Sequence, residues 1–194
     1  MNILRNTASG HILIPDEYTY FEKRILFLKG EINDNNVYEL IKNLGSLTDK
    51  KDNVLLNIWS GGGSIQAGFA LYDAILSLPY KVDVFVPSYA YSMAAVLFIC
   101  ATGTRYMAAH SKLMLHEPLI TGFKDGSTSS VKEIADNLIK NKEMICELIS
   151  KHTNKSIKEV EKLCDKEHYF DIKEALKLNL ADKEGGIEIY EQYR

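Results

Sequence analysis

The chain has 194 residues, of which 46% are hydrophobic and 25% charged, and a formal net charge of −3. That length suits one domain able to bury a sizeable core, and the balance of charge supplies no basic field for nucleic acid. The longest apolar run, Met93–Ala101, falls well short of the roughly 18 residues of a membrane span and fits a buried helix.

Residues 1–22 are polar and mixed, with aromatic residues Tyr18, Tyr20 and Phe21, and read as an N-terminal arm or loop ahead of a body spanning 23–194. The opening M-N-I-L-R-N-T-A-S-G-H lacks an apolar signal core, which points to the cytoplasm. Arg24–Gly30 is a strand of continuous apolar character. Asp34–Leu47 sets Val37, Leu40, Ile41 and Leu44 at helical spacing. Val54–Ile58 is a second buried strand, and a helix from Ser64 to about Leu78 carries Ile65, Phe69, Tyr72 and Ile75 on one face until Pro79 ends it. Val82–Val86 is a third strand. Strand and helix alternating within 65 residues predict an α/β domain with a mostly parallel sheet and right-handed crossovers. Arg105–Ala108 and Lys112–Leu115 read as two short strands, and the Gly-, Ser- and Thr-rich stretch Ile120–Ser130 as a flexible loop. Val131–His152 is a long helix that can project as an arm for self-association. Ser156 with Glu159 forms a capping box for a helix ending at Cys164, Asp171 caps Ile172–Leu178, and Ile187–Tyr190 reads as one more strand. Cys100, Cys146 and Cys164, odd in number and without C-x-x-C spacing, fit a reducing compartment with no disulfide framework or zinc site.

The chemistry concentrates in Asn57–Gly68, N-I-W-S-G-G-G-S-I-Q-A-G, where a strand runs through Gly61–Gly63 directly into a helix. Glycines let backbone N–H groups approach a bound group, and the helix start adds unpaired donors and partial positive charge. Such a turn holds either a phosphate or an oxyanion. No Lys-Ser or Lys-Thr follows the glycines and the spacing is not G-x-G-x-x-G, so neither nucleotide fingerprint is present. Sites in parallel sheets form beyond the carboxyl ends of the strands. Two further residues fall there. Ser92 stands at a strand–turn–helix junction in P-S-Y-A-Y-S-M, either as a helix N-cap or as a nucleophile. His116 follows a strand directly in L-M-L-H-E-P-L, either as a structural histidine or as a base. Ser and His beside an oxyanion turn favour acyl transfer.

Four segments in this order and spacing resemble the proteolytic subunit of the Clp protease (ClpP), a serine peptidase family: I-W-S-G-G-G-S-I-Q-A-G-F-A-L-Y-D, S-M-A-A, G-T-R-Y-M-A-A-H-S-K-L-M-L-H-E-P-L and E-A-L-K-L-N-L-A-D. The resemblance runs from about Arg24 to Glu184. It implies a ClpP/crotonase-like fold, repeated β-β-α and βα units around a mostly parallel sheet with a protruding long helix. It implies Ser92 as nucleophile, His116 as general base, and the N–H groups of Gly63 and Met93 as oxyanion donors. Glu167 falls where the family has the triad Asp, with Asp165 and Asp171 as alternative acids. It further implies hydrolysis of unfolded polypeptides within stacked heptameric rings, an AAA+ Clp ATPase as partner, and no cofactor, metal, nucleic acid or membrane. The chain departs from the family at Gly61, where Pro is usual, and at Ser88–Tyr91, where Tyr91 replaces Ala beside the nucleophile. Two other functions stay in view: a catalytically silent ring subunit, and a crotonase-like acyl-CoA enzyme that shares the oxyanion turn.

Overall fold

Strands that are apolar at nearly every position need cover on both faces, and the sheet at the centre of this protein has it. The computed structural model describes residues 2–7, 10–47, 52–119 and 127–193. In chain order the strands are β1 (Asn2–Thr7), β2 (Gly10–Pro15), β3 (Ile25–Lys29), β4 (Val54–Trp59), β5 (Val82–Val86), β6 (Tyr89–Tyr91), β7 (Arg105–Met107), β8 (Lys112–Leu115), β9 (His168–Phe170) and β10 (Lys183–Glu184). The helices are α1 (Asp16–Glu22), α2 (Asp34–Ser46), α3 (Ile65–Leu76), α4 (Met93–Ile99), α5 (Thr128–Thr153), α6 (Ile157–Cys164) and α7 (Ile172–Lys177), followed by a 3-10 helix over Ile187–Gln192.

The central sheet has the order β10-β7-β5-β4-β3, and every neighbouring pair in it is parallel. Alternate residues divide between its faces. Leu26, Leu28, Leu56, Ile58, Val84 and Val86 join the main core, together with α3 and α4. Ile25, Leu55, Phe85 and Tyr106 point the other way, onto Ile189 and Tyr193. The C-terminal segment covers that second face as a 3-10 helix, in place of the strand expected at Ile187–Tyr190. Its apolar side chains fill the face while Tyr190 donates to Asn57 Oδ1 at 2.7 Å and Tyr193 to Asp83 Oδ2 at 2.6 Å. Tyr190 supplies the donor that Asn57 Oδ1 finds among the described residues, and Tyr193 adds to the Asn53 and Thr104 donors on Asp83 inside strand β5.

A second sheet, β6-β8-β9, pairs β6 with β8 in parallel and β8 with β9 antiparallel. Residues 87–92 were read as a strand–turn–helix junction, and 168–170 were assigned no element. Both strands are three residues long, too short to show a period in sequence. Ser60 joins the two sheets: its N–H bonds Tyr89 O at 3.2 Å and its carbonyl takes the Tyr91 N–H at 3.0 Å. The end of β4 is thereby fastened to the strand that leads into Ser92.

The segment 1–22, expected as an arm or loop, forms the antiparallel hairpin β1–β2 and the helix α1, with Phe21 packed against the main core. Most of the loop expected at 120–130 lies outside the described residues, and its end is the first turn of α5. That helix is longer than its apolar pattern indicated. Its second half buries Ile145, Cys146 and Ile149, whereas its first half leaves Val131 and Ile139 about half exposed. The capping box on α6 and the Asp171 cap on α7 form as expected. Cys100, Cys146 and Cys164 are free and buried, and burial pushes the Cys100 thiol up to about 12.

Arg105 fastens the C-terminal third to this frame. It is 6% exposed and donates to both carboxylate oxygens of Asp182, at 2.9 and 2.6 Å, and to the carbonyls of Ile99, His152 and Asn179. Burial pushes the Asp182 carboxyl up, but the hydrogen bonds and charge of Arg105 outweigh it, so the net displacement is below the ordinary carboxylate range. A carboxyl depressed by folding contributes stability above its unfolded pKa and loses it as pH falls through the folded one. Replacing Arg105 by Met leaves Asp182 with the backbone N–H of position 105 but without its guanidinium partner, removes a donor from three carbonyls, and should cost about 3 kcal/mol at neutral pH. The difference between the two proteins should begin to shrink as pH falls below about 4, the ordinary Asp pKa, and close as pH passes through the lowered folded value of Asp182. Urea unfolding of both proteins at pH 7 and pH 3 measures this.

Candidate active site

The three glycines do separate jobs. Gly61 has ordinary backbone angles, and a Cβ there would meet nothing within 4 Å. Gly62 has φ +95°, and a Cβ would lie 2.7 Å from both Ser92 Cβ and Tyr91 O. Gly63 has φ +147°, and a Cβ would lie 2.3 Å from Ile32 O. Gly62 therefore lets the turn close against the nucleophile, a role the sequence reading did not single out. Gly63 lets the turn pair with Ile32, whose N–H bonds Gly62 O and whose carbonyl takes the Ser64 N–H, both at 2.8 Å. That pairing uses the groups on either side of Gly63. No acceptor among the described residues takes the N–H of Gly63 itself, or that of Met93 at the first turn of α4. Ser60 Oγ holds the turn from within, accepting the Gly62 N–H at 3.0 Å.

Ser92 occupies the N-cap position of α4 but does not cap it. Its side chain makes no bond to the helix, and its backbone stands at φ 54°, ψ −128°. A non-glycine residue held there stores about 1–3 kcal/mol of strain, and the backbone is clamped by a bond from Ser92 N–H to Met114 O at 2.8 Å. The strand–turn–helix geometry is that of a nucleophile elbow. The serine Oγ lies 2.8 Å from His116 Nε2. His116 follows β8, and the next residue, Glu117, is tied to Lys142 of α5 by an ion pair. Ser92 and His116 open on a cleft lined by Ile65, Met93, Val96, Pro118 and Ile145. The last two contact residues were not singled out from the sequence, since one stands in a loop and the other on a distant helix. A wider groove of about 940 Å³ lies along the free edge of β3 between α1 and α2, well apart from this chemistry.

None of the acids considered reaches the other nitrogen of His116. Nδ1 is buried and has no hydrogen-bond partner among the described residues. Glu167 is exposed, and its carboxylate accepts from the Tyr169 hydroxyl at 3.3 Å. Asp171 is occupied as the cap of α7, accepting the Glu174 N–H at 2.9 Å, and that backbone bond holds its carboxyl below the usual range. Asp165 is exposed at the C-terminal end of α6. His168, the neighbour of Glu167, stacks on Phe170 and contacts Glu174 at 3.1 Å.

An unpaired pair of backbone donors, a strained serine and a hydrogen-bonded imidazole in one cleft are the parts of an acyl-transfer site. A sequence profile described as Clp protease matches residues 14–185. The chain belongs to the Clp protease family. Curated relatives match more than four fifths of the chain. The ATP-dependent Clp protease proteolytic subunit 1 of Protochlamydia amoebophila (strain UWE25) is 30% identical over 170 residues, 86% of this chain and 82% of the relative. The ATP-dependent Clp protease proteolytic subunit of Carsonella ruddii (strain PV) is 32% identical over 163 residues, 83% of each chain. The ATP-dependent Clp protease proteolytic subunit 2 of Thermobifida fusca (strain YX) is 33% identical over 164 residues, 83% of this chain and 80% of the relative. The α/β fold, the mostly parallel sheet and the long helix α5 agree with the family that the motifs indicated. Among the described residues of this Clp protease family member, no helix is long and apolar enough to cross a membrane.

Proposed function

We propose that this protein is a serine endopeptidase that cleaves unfolded polypeptides through Ser92 and His116, with Glu167 as the acid of the triad. The observation that carries the proposal is the 2.8 Å contact between Ser92 Oγ and His116 Nε2 at a strained strand–helix turn inside a Clp protease family chain. His116 Nε2 takes the Oγ proton as Oγ bonds to the peptide carbonyl carbon. The Gly63 and Met93 N–H groups donate to the developing oxyanion, and His116 returns the proton to the leaving amine as the C–N bond breaks. Water then attacks the acyl-enzyme, giving its proton to His116, and Ser92 is restored. For Nε2 to accept, the proton of the neutral ring sits on Nδ1, so the orphaned nitrogen is a donor awaiting an acceptor.

Oligomeric rings are part of the same proposal. The first half of α5 carries Val131 and Ile139 on exposed positions and Ile134 and Leu138 half-buried. A helix with an apolar stripe and no cover within its own chain is suited to pack against a second copy. Stacked heptameric rings enclosing the Ser92 clefts, an AAA+ ATPase feeding them, residues 1–22 as an arm ahead of the 23–194 body, and a cytoplasmic setting complete the reading. The curated relatives are named as ATP-dependent proteolytic subunits. Substituting Asp for both Val131 and Ile139 should shift the size-exclusion profile to smaller species while leaving the far-UV spectrum in place. An unshifted profile would remove α5 from the assembly.

The silent-subunit reading draws on one observation, the unpartnered His116 Nδ1. Hydrolysis of a fluorogenic peptide by the assembled protein separates the two, since a silent subunit shows no turnover that depends on Ser92.

A further inference from the structure

The β8–β9 ladder ends one pair short of His116 and Glu167. In the β8–β9 ladder Leu115 pairs with His168 and Met114 with Tyr169. Extending that antiparallel register by one residue places Glu167 opposite His116 on the face that carries Tyr169, with Cβ atoms at about 5 Å in a regular ladder. A glutamate spans that gap. Yet its carboxylate is turned along its own strand, onto the Tyr169 hydroxyl. Tyr169 is held in turn by aromatic contacts. Its ring meets Tyr91 edge-on at 5.5 Å, Tyr91 stacks on Tyr89 at 4.8 Å, and Trp59 meets Tyr89 edge-on at 6.2 Å. The bulky residue beside the nucleophile is thus part of the brace that positions the tyrosine. Glu117, the neighbour of His116 in sequence, is engaged by Lys142.

We propose that Tyr169, braced by Tyr91, is a positioning residue that holds Glu167 off His116, and that the active arrangement forms when Glu167 exchanges the Tyr169 hydroxyl for the His116 Nδ1–H. The exchange rests on the catalytic reading of Ser92 and His116 given above. It trades a long, exposed bond of 3.3 Å for a charge-assisted bond to a buried donor that otherwise has none. The carboxylate loses part of its hydration on the way in, which opposes the exchange and keeps the two arrangements close in free energy. No proton changes hands. The carboxylate fixes the ring orientation and the Nδ1–H tautomer, and it stabilises the imidazolium formed during acylation.

The test uses Tyr169→Phe, which keeps the ring against Tyr91 and removes only the hydroxyl, alone and combined with Glu167→Gln. Two readouts are taken on the assembled full-length protein: the rate of Ser92 acylation by a fluorophosphonate, and the ¹⁵N-histidine spectrum of His116. Tyr169→Phe should speed acylation about 3- to 10-fold, the scale of one exposed hydrogen bond to a charged group. It should also bring up a low-field Nδ1–H proton, and both effects should vanish in the double variant. Acylation of Ser92 at the wild-type rate in Tyr169→Phe, with an unchanged His116 spectrum, would overturn the proposal. Absence of Ser92 acylation in every variant would instead remove the catalytic reading. In that event the low-field proton alone decides the exchange, its appearance in Tyr169→Phe upholding it and its absence overturning it.

Discussion

Ser92→Ala should lower kcat for peptide hydrolysis by roughly 10⁵-fold while leaving the protein folded and assembled. The loss is large because Oγ forms the covalent bond and nothing else in the cleft replaces it. The unchanged fold has its own reason. Ala carries the same Cβ into the same backbone conformation, φ 54° and ψ −128°, so the strain stays and stability should move by no more than about 0.5 kcal/mol. Ser92→Gly should be equally inactive but more stable than Ser92→Ala by about 1 kcal/mol, because glycine relieves the strained backbone. The pair of variants separates two statements, that Oγ does the chemistry and that the turn is held under strain for its sake. Steady-state kinetics and thermal unfolding of both variants measure them. Residual turnover within tenfold of wild type in Ser92→Ala would sink the first, and equal stability of the two variants the second.

Gly63→Ala should be the most damaging change of a single small residue outside Ser92 and His116. Its Cβ would stand 2.3 Å from Ile32 O and 2.9 Å from Ile32 N. Those are backbone atoms that cannot swing aside, and φ +147° is in any case hostile to an L side chain. The Ile32–Gly63 bridge must open, and the Gly63 N–H turns away from the carbonyl it serves. Losing one oxyanion donor costs about 10²–10³ in kcat, and forcing the turn should take about 2 kcal/mol of stability with it. Gly61→Ala is the control within the same triplet. It has open space and an ordinary φ, so both kcat and stability should stay near wild type. If Gly61→Ala and Gly63→Ala behaved alike, the oxyanion assignment would lose its geometric basis.

The sequence carried the central frame because buried parallel strands advertise themselves. Val54–Ile58 and Val82–Val86 are each apolar at all but one position, Asn57 and Asp83, and the helix between them keeps one face apolar. Ser92 and His116 were legible as candidates because both sit where a strand stops. Their pairing came from the family resemblance and not from spacing, since 24 residues separate them and the β6–β8 ladder is what brings their strands side by side. The β6 and β9 strands were missed because three residues cannot display a period of two. The C-terminal 3-10 helix was read as a strand because the apolar residues of Ile187–Tyr190 say only that something is buried. The polar partners Asn57 and Asp83, which decide the conformation, lie more than 100 residues away. The resemblance put Glu167 at the position of the triad acid; its bond from Tyr169 depends on the strand pleat putting residues 167 and 169 on one face, a side-chain choice that spacing does not reveal.

The most direct test of the account is fluorophosphonate labelling of the assembled protein, with the modified residue located by mass spectrometry and Ser92→Ala run alongside. The account predicts one label per chain, on Ser92, and none in the variant. A well-assembled particle that takes up no label, or takes it at another residue, would contradict the claim that Ser92 and His116 form a working nucleophile and base.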